Sequence, residues 1–134
     1  MRALDLLGGA QIVSESDCWE MLATQSIGRV AFALEGQVEI FPVNYAIDGD
    51  AIIFRTNVGR KYTGAKVGEV AFEADSLDPV SKSGWSVVIH GSSRDATQLE
   101  SAERPLGCQP WAGPKEFLVR ITPRGISGRR VSPL

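Results

Sequence analysis

Tight turns between short apolar runs constrain the fold of this chain more strongly than any other feature. The clearest turn, at residues 48–50 (Asp-Gly-Asp), separates the run at 38–47 from the β-branched and aromatic residues at 51–54. Aspartate next to glycine favours a turn, because both residues accept the backbone angles that a tight hairpin requires. A second turn at residues 35–37 (Glu-Gly-Gln) precedes the first run. The sequence therefore predicts consecutive antiparallel hairpins.

The remaining apolar runs continue this hairpin pattern along the chain. No long helical segment separates consecutive runs, which argues against an alternating α/β sheet. Six or seven strands in hairpin succession favour one mainly β domain over residues 1–134, an antiparallel barrel with small flanking helices. The predicted strands are 29–34, 38–47, 51–54, 69–75, 85–91 and 117–122, with 125–131 continuing the last one.

Short helices and a polar loop complete the predicted organisation. Ser16 is the predicted N-cap of a helix of about ten residues, since a serine hydroxyl can accept a hydrogen bond from the first helical turn. Two further short helices are predicted at 63–67 and 98–104. Residues 1–13 are predicted as an extended arm, and residues 76–84 as a polar loop.

Composition and charge exclude several classes of function. The 134-residue chain has a formal net charge of −2 and a sequence pI near 5.4, which argues against a general nucleic-acid binder. No apolar run approaches the roughly 18–20 residues of a membrane-spanning helix. Two cysteines, Cys18 and Cys108, are too few for a disulfide framework, and no metal-ligand spacing is present. We therefore expect a cytoplasmic protein.

Four polar residues after the run at 51–54 form the main candidate binding segment. Arg55 and Thr56 end the predicted strand, and Arg60 and Lys61 follow the glycine at position 59. Arginine offers a two-pronged donor to phosphate oxygens, lysine a point charge and threonine a neutral donor. This pattern favours a phosphate monoester site, and the alternative is a solvated basic loop, which is common after strands.

Three residues that could carry chemistry are interpreted structurally. His90 lies in an apolar strand without an acidic neighbour in sequence, which favours a half-buried strand residue over a catalytic base. Glu73 alternates with apolar Phe72 and is therefore predicted to point to solvent. Cys18 is predicted to be a small packed side chain of the first helix.

Tryptophans and a C-terminal arginine pair leave two interpretations open. Trp85, beside Ser86, and Trp111 are each either a core or interface anchor or the border of a flat ligand. Arg129 and Arg130 are either a solvated tail or a second source of positive charge for a bound anion.

Five stretches taken together resemble a known family: SIGRVAF (26–32), FPVNYAIDGDAIIFRTNVGRKYTGA (41–65), VAFEAD (70–75), GWSVVIHG (84–91) and VRITPRGISGRRV (119–131). They are similar to the pyridoxamine 5′-phosphate oxidase-like flavoproteins, the FMN-binding split-barrel superfamily. The resemblance covers most of the chain from about Trp19 onward. It implies a six- to seven-stranded antiparallel split β-barrel with FMN at the interface of a homodimer.

Nine residues of this chain match positions around the flavin in that family. Arg55, Thr56, Arg60 and Lys61 match the phosphate-binding segment. The other five match positions near the ring system. Val43 and Asn44 match contacts to the isoalloxazine edge, Trp85 and Ser86 match the strand that approaches from the second subunit, and Arg129 matches a C-terminal position that reaches the flavin.

The resemblance implies an FMN-dependent oxidoreductase acting on a small molecule that the sequence does not identify. The chain lacks the C-terminal tryptophan and the Arg-x-His signature of the longer family members, so oxidation of vitamin B6 is not expected. The alternatives are a non-catalytic flavin-binding or redox-sensing protein and a reductase that uses the deazaflavin F420. Glu73, Asp75 and Asp78 would repel the anionic tail of the deazaflavin, which favours FMN.

Overall fold

Seven strands and one helix lie in the parts of the chain that the computed structural model describes, residues 10–56, 68–97 and 117–132. Within these ranges no helix is long and apolar enough to cross a membrane. The helices predicted at 63–67 and 98–104 lie outside the described residues. The elements are β1 (Gln11–Val13), α1 (Glu15–Leu22), β2 (Ile27–Leu34), β3 (Gln37–Asp48), β4 (Ala51–Thr56), β5 (Gly68–Asp78), β6 (Ser83–Asp95) and β7 (Phe117–Val131).

Six strands form a ring in the order β7-β4-β3-β2-β5-β6, and the pairing of β6 with β7 closes it. All pairings are antiparallel, and β1, from the predicted N-terminal arm, adds to β7 as the seventh strand. Closure removes the exposed edges that an open sheet would leave. Only three residue pairs join β2 to β5, the fewest of any pairing in the ring. The predicted mainly β antiparallel barrel is confirmed.

Alternating side chains fill the interior of the ring with apolar groups. Phe54 and Phe72 are fully buried, and Phe41 meets Phe54 edge to face with ring centroids 6.4 Å apart. Helix α1 is attached to the barrel through Tyr45, whose hydroxyl donates to the Leu22 carbonyl at 2.6 Å. Because this hydroxyl is buried, the bond satisfies a donor that would otherwise be costly to desolvate.

Two glycines, Gly36 and Gly28, permit a tight turn and a close aromatic contact in this barrel. Glu35 and Gly36 both have positive φ, 52° and 79°, as the two-residue turn between β2 and β3 requires. Gly28 faces the interior, where an added Cβ would lie 2.5 Å from the Phe72 ring. Aromatic packing therefore reaches the β2 backbone itself.

Two sequence-based boundaries are wrong. Ser14, not Ser16, caps α1, because its hydroxyl accepts from the first-turn backbone N–H three residues along, at 3.2 Å. The polar loop predicted at 76–84 is shorter than expected, since β5 extends to Asp78 and β6 begins at Ser83. Continuous pairing with β6 holds the polar residues before the turn in extended conformation.

Candidate functional site

Asn44 and Arg55 form the first group of candidate residues, on the outer face of β3 and β4. One step beyond the last β3–β4 pair, the register brings Asn44 opposite Arg55. Both residues are half-buried, whereas Val43 and Thr56 point into the barrel and are buried. A guanidinium beside a side-chain amide can hold an anionic oxygen and a polar ring edge together. We call Asn44 and Arg55 the Arg55 group.

Arg60 and Lys61, predicted to continue the same anion-binding segment, lie outside the described residues. The described part of that segment ends with β4 at Thr56.

Ser86 and Arg129 form a second group, where β6 pairs with β7. The two residues are cross-strand partners, and Asp75 of β5 lies opposite Ser86 on its other side. Ser86 is half-buried and Arg129 is exposed. Trp85 points to the other face of β6 and packs against the core, so its side chain does not share a surface with that of Ser86. We call Ser86 and Arg129 the Ser86 group.

The Arg55 group and the Ser86 group are far apart within one chain. Strands β3 and β6 are three strands apart in both directions round the ring. Arg55 lies opposite Leu118, and Arg129 follows Leu118 by eleven residues, roughly 36 Å if β7 were fully straight. Because this separation along β7 exceeds the length of a mononucleotide, such a ligand does not reach both groups of the same chain.

The sequence did not predict the environment of Glu73, which lies beside the Ser86 group. It lies on the outer face of β5, next to the Ser86 group and opposite Arg29 of β2. The Arg29 Nη1 atom is 3.7 Å from Glu73 Oε1 and 4.0 Å from Asp75 Oδ2. Among the described residues, Glu73 Oε1 is buried without a hydrogen-bond partner.

Burial raises the pKa of Glu73 to about 7, with a further contribution from the hydrogen bond and negative charge of Asp75. The nearby positive charge of Arg29 lowers the pKa but does not offset burial. The prediction that Glu73 is a solvated strand residue is therefore wrong. Strand alternation correctly placed it outside the barrel, but the flanking side chains that desolvate it come from a pairing that no local pattern reveals.

The predicted half-burial of His90 is wrong, whereas the predicted packing of Cys18 is confirmed. His90 is exposed rather than half-buried, on the outer face of β6 at the point where the register with β7 shifts. Cys18 is fully buried in the core, as predicted, and burial raises the pKa of its thiol. No group of three or more His, Cys, Asp or Glu residues in the described ranges could hold a metal ion.

Comparison with known proteins gives one family match and several similar structures. Residues 14–130 match the family model described as pyridoxamine 5′-phosphate oxidase. A Corynebacterium glutamicum protein provisionally named pyridoxamine 5′-phosphate oxidase is 32% identical, with a TM-score of 0.78 over 92% of this chain and 99% of that chain. The FAD binding protein from Mycobacterium smegmatis is 30% identical, with a TM-score of 0.72 over 91% of this chain and 98% of that chain.

A curated relative gives the same degree of similarity at the level of sequence. An uncharacterized protein from Mycobacterium tuberculosis is 31% identical in an alignment 127 residues long that covers 89% of this chain and 84% of the relative. The family match spans both the Arg55 group and the Ser86 group. The chain belongs to the pyridoxamine 5′-phosphate oxidase family.

Proposed function

We propose that this protein is a flavoprotein that binds FMN between two copies of the chain and acts as an oxidoreductase on a small organic molecule. One observation carries the proposal. In one chain the Arg55 group lies opposite Leu118 and the Ser86 group pairs with β7 eleven residues further on, yet both groups match family positions around a single cofactor. A homodimer resolves this, because the Arg55 group of one copy can meet the Ser86 group of the other.

The side chains of both groups suit the parts of a flavin mononucleotide. The Arg55 guanidinium can donate two parallel hydrogen bonds to a phosphate that carries about −1.5 to −2 charges. The Asn44 amide can both donate to and accept from a polar ring edge. From the second copy, Ser86 offers a hydroxyl and Arg129 a positive charge. When bound, the flavin supplies hydride and electron transfer, while the protein orients it and sets the charge around its nitrogens.

FAD and the deazaflavin are the competing cofactors. The name of the Mycobacterium smegmatis relative states that it binds FAD, and FAD shares its flavin and first phosphate with FMN. Two of the three carboxylates expected to repel an anionic tail, Glu73 and Asp75, lie beside Ser86 rather than beside Arg55. These carboxylates would therefore repel an anionic tail only where the tail passes the Ser86 group. Titration of the three cofactors at matched ionic strength ranks them, since exposed charges are screened over about 10 Å at 0.1 M salt.

Mixed dimers test the shared site directly. Arg55→Ala and Arg129→Ala each remove one group, so each variant alone should lose bound flavin. Co-expression of the two variants with different tags gives heterodimers in which one site keeps both wild-type groups and the other lacks both. We expect purified heterodimers to recover half of the wild-type flavin absorbance. Absence of recovery would refute the shared site, and a wild-type protein that binds no flavin would refute the proposal itself.

A non-catalytic flavin store or redox sensor is the alternative to an oxidoreductase. Stopped-flow mixing of the flavin-loaded protein with NADH or NADPH separates the two. Rapid bleaching of the flavin, followed by reoxidation with a quinone or nitro compound, supports catalysis. Flavin that dithionite reduces but neither nicotinamide donor does would favour the non-catalytic function.

A further inference from the structure

A cavity of about 280 Å³ lies where the end of α1 meets β3. An apolar cavity of roughly 150 Å³ is large enough to bind benzene, so this one has room for an organic molecule of one or two rings. None of the residues that line it is among the flavin positions matched to the family. We call it the β3-edge cavity, and its lining residues are Leu22, Ala23, Gln25, Tyr45, Ala46 and Ile47.

The β3 backbone presents a hydrogen-bonding edge to this cavity. Pairing of β2 with β3 begins at Ile27 opposite Asn44, and the Tyr45 N–H donates to the Ser26 carbonyl at 3.0 Å. Alternate residues of a strand direct their N–H and C=O groups to the same side, so those of Ile47 also point toward the α1–β2 connection. Within the described part of the chain, no backbone hydrogen bond joins Ile47 to that connection. One donor and one acceptor therefore remain for a ligand in the cavity.

The lining residues of the β3-edge cavity offer no positive charge to an anion. None of them is charged, and burial raises the pKa of Tyr45 to about 12, which keeps its hydroxyl neutral. Helix α1 ends at Leu22, so the negative end of its dipole lies beside the cavity, and its last turn carries no basic residue. The Gln25 amide can both donate and accept. The cavity therefore suits a neutral molecule and disfavours a carboxylate or a phosphate.

We propose that the β3-edge cavity binds a neutral planar ring that carries a carboxamide, and that this molecule is the organic substrate of the proposed oxidoreductase. The Ile47 N–H donates to the carboxamide oxygen and the Ile47 carbonyl accepts from the carboxamide N–H, as when a strand adds to the edge of a sheet. The ring packs against the apolar walls and leaves water. The substrate role rests on the proposed function, whereas the binding of the molecule does not.

The position of the cavity supports the substrate role. Ala46, on its wall, lies two residues along β3 from Asn44, and both side chains are on the outer face of the strand. Two strand residues span roughly 7 Å, so a ring in the cavity lies next to the flavin edge that Asn44 is proposed to contact. A flavin held by the Arg55 group thus has the β3-edge cavity at its border.

Three probes of similar size test the ligand chemistry: benzamide, benzoate and N,N-dimethylbenzamide. Benzoate replaces the neutral carboxamide with an anion, and the dimethyl amide lacks the N–H groups. NMR titration of the wild-type protein, followed through its amide signals, measures the dissociation constants. We expect benzamide to shift the signals of Ile47 and Gln25. It should bind at least about tenfold more tightly than benzoate and about threefold more tightly than the dimethyl amide, which loses one hydrogen bond.

Two results of this titration would overturn the inference. One is a benzamide titration that does not saturate by about 10 mM, the weakest affinity expected for a ligand of this size. The other is equal affinity for benzamide and benzoate, or signal shifts confined to residues away from the cavity.

Substitutions that fill the cavity provide a matched comparison. Ala46→Leu and Ala23→Leu each place a bulkier side chain on its wall, whereas Ala33→Leu makes the same change at an exposed position of β2 outside it. We expect the first two to weaken benzamide binding at least about fivefold and the third by less than about twofold. Ala23 is exposed, so Ala23→Leu keeps the test decisive if Ala46→Leu does not fold. Unchanged binding in the folded cavity variants would contradict the assignment.

Flavin measurements separate failure of this inference from failure of the proposed function. In the flavin-loaded protein, benzamide should shift the visible absorbance of the flavin, and Ala23→Leu should remove that shift. Benzamide that binds in the cavity without changing the flavin spectrum overturns the substrate role. A protein that binds flavin but not benzamide overturns this inference alone. One that binds benzamide but no flavin overturns the proposed function and leaves the ligand class of the cavity standing.

Discussion

Glu73→Gln should remove a pH dependence of stability that the wild-type protein shows between about pH 4.5 and 7. Burial and Asp75 raise the pKa of this carboxyl from 4.5 to about 7 in the folded protein. The folded state therefore binds more protons than the unfolded state in this interval. The protonated Glu73 carboxyl therefore makes its full contribution to the free energy of unfolding below pH 4.5. This contribution is lost as the pH rises through about 7. A glutamine does not titrate, so the variant lacks this loss.

The magnitude follows from the pKa shift and the exposure of the side chain. A change from 4.5 to about 7 corresponds to about 3 kcal/mol if it acts in full. The Glu73 side chain is 33% exposed, so solvent screens part of the effect and we expect about 1 to 2 kcal/mol. Other charged or titratable groups on this face include Arg29 on β2, Glu69 and Asp75 on β5, His90 on β6 and Arg129 on β7.

Urea denaturation at pH values below and above this interval, at one fixed protein concentration, measures the effect through tryptophan fluorescence. From the lower to the higher pH, the free energy of unfolding of the wild-type protein should fall by about 1 to 2 kcal/mol more than that of Glu73→Gln. Glu20→Gln, which makes the same change at an exposed position of α1, is the matched control and should behave as wild type. Equal losses in wild type and Glu73→Gln would refute the assignment of the proton to Glu73.

Four further substitutions test the packing and the helix start by the same denaturation assay. Tyr45→Phe should cost about 1 kcal/mol, because it leaves the buried Leu22 carbonyl without its 2.6 Å donor; an unchanged stability would contradict that bond. Gly28→Ala should cost about 1 to 3 kcal/mol, since the new Cβ would lie 2.5 Å from an aromatic ring, and a stable variant would show that the ring moves aside. Ser14→Ala should lower the free energy of unfolding by about 1 kcal/mol, and Ser16→Ala should lower it clearly less. The reverse order would favour Ser16 as the cap.

Hairpins could be predicted from this sequence because both of their signals are local. Strands β2, β3 and β4 were predicted nearly to their ends from the turns at 35–37 and 48–50 and from the alternation beside these turns. The start of α1 was missed because Ser14 and Ser16 are both good caps, and only the position of the first-turn N–H groups decides between them.

The environment of the candidate site depends on contacts between distant parts of the chain. Arg29 reaches Glu73 through the short β2–β5 seam, and Ser86 meets Arg129 through the register of β6 and β7. Neither pairing leaves a periodic signal, since a strand of given alternation can join either neighbour in several registers. The resemblance to a family named Ser86 and Arg129, but only the register of β4 and β6 along β7 shows how far these residues lie from Arg55.

Strand β7 also sets the order in which the barrel can be made. It follows every other described strand in the chain, yet β1, β4 and β6 all pair with it. During synthesis the ring cannot close until residues 117–131 have left the ribosome, and until then β4 and β6 offer unpaired edges to strands of other chains. A ribosome-bound nascent chain that stops before Phe117 should bind chaperones and be cut readily by protease, with resistance arising only once β7 has emerged.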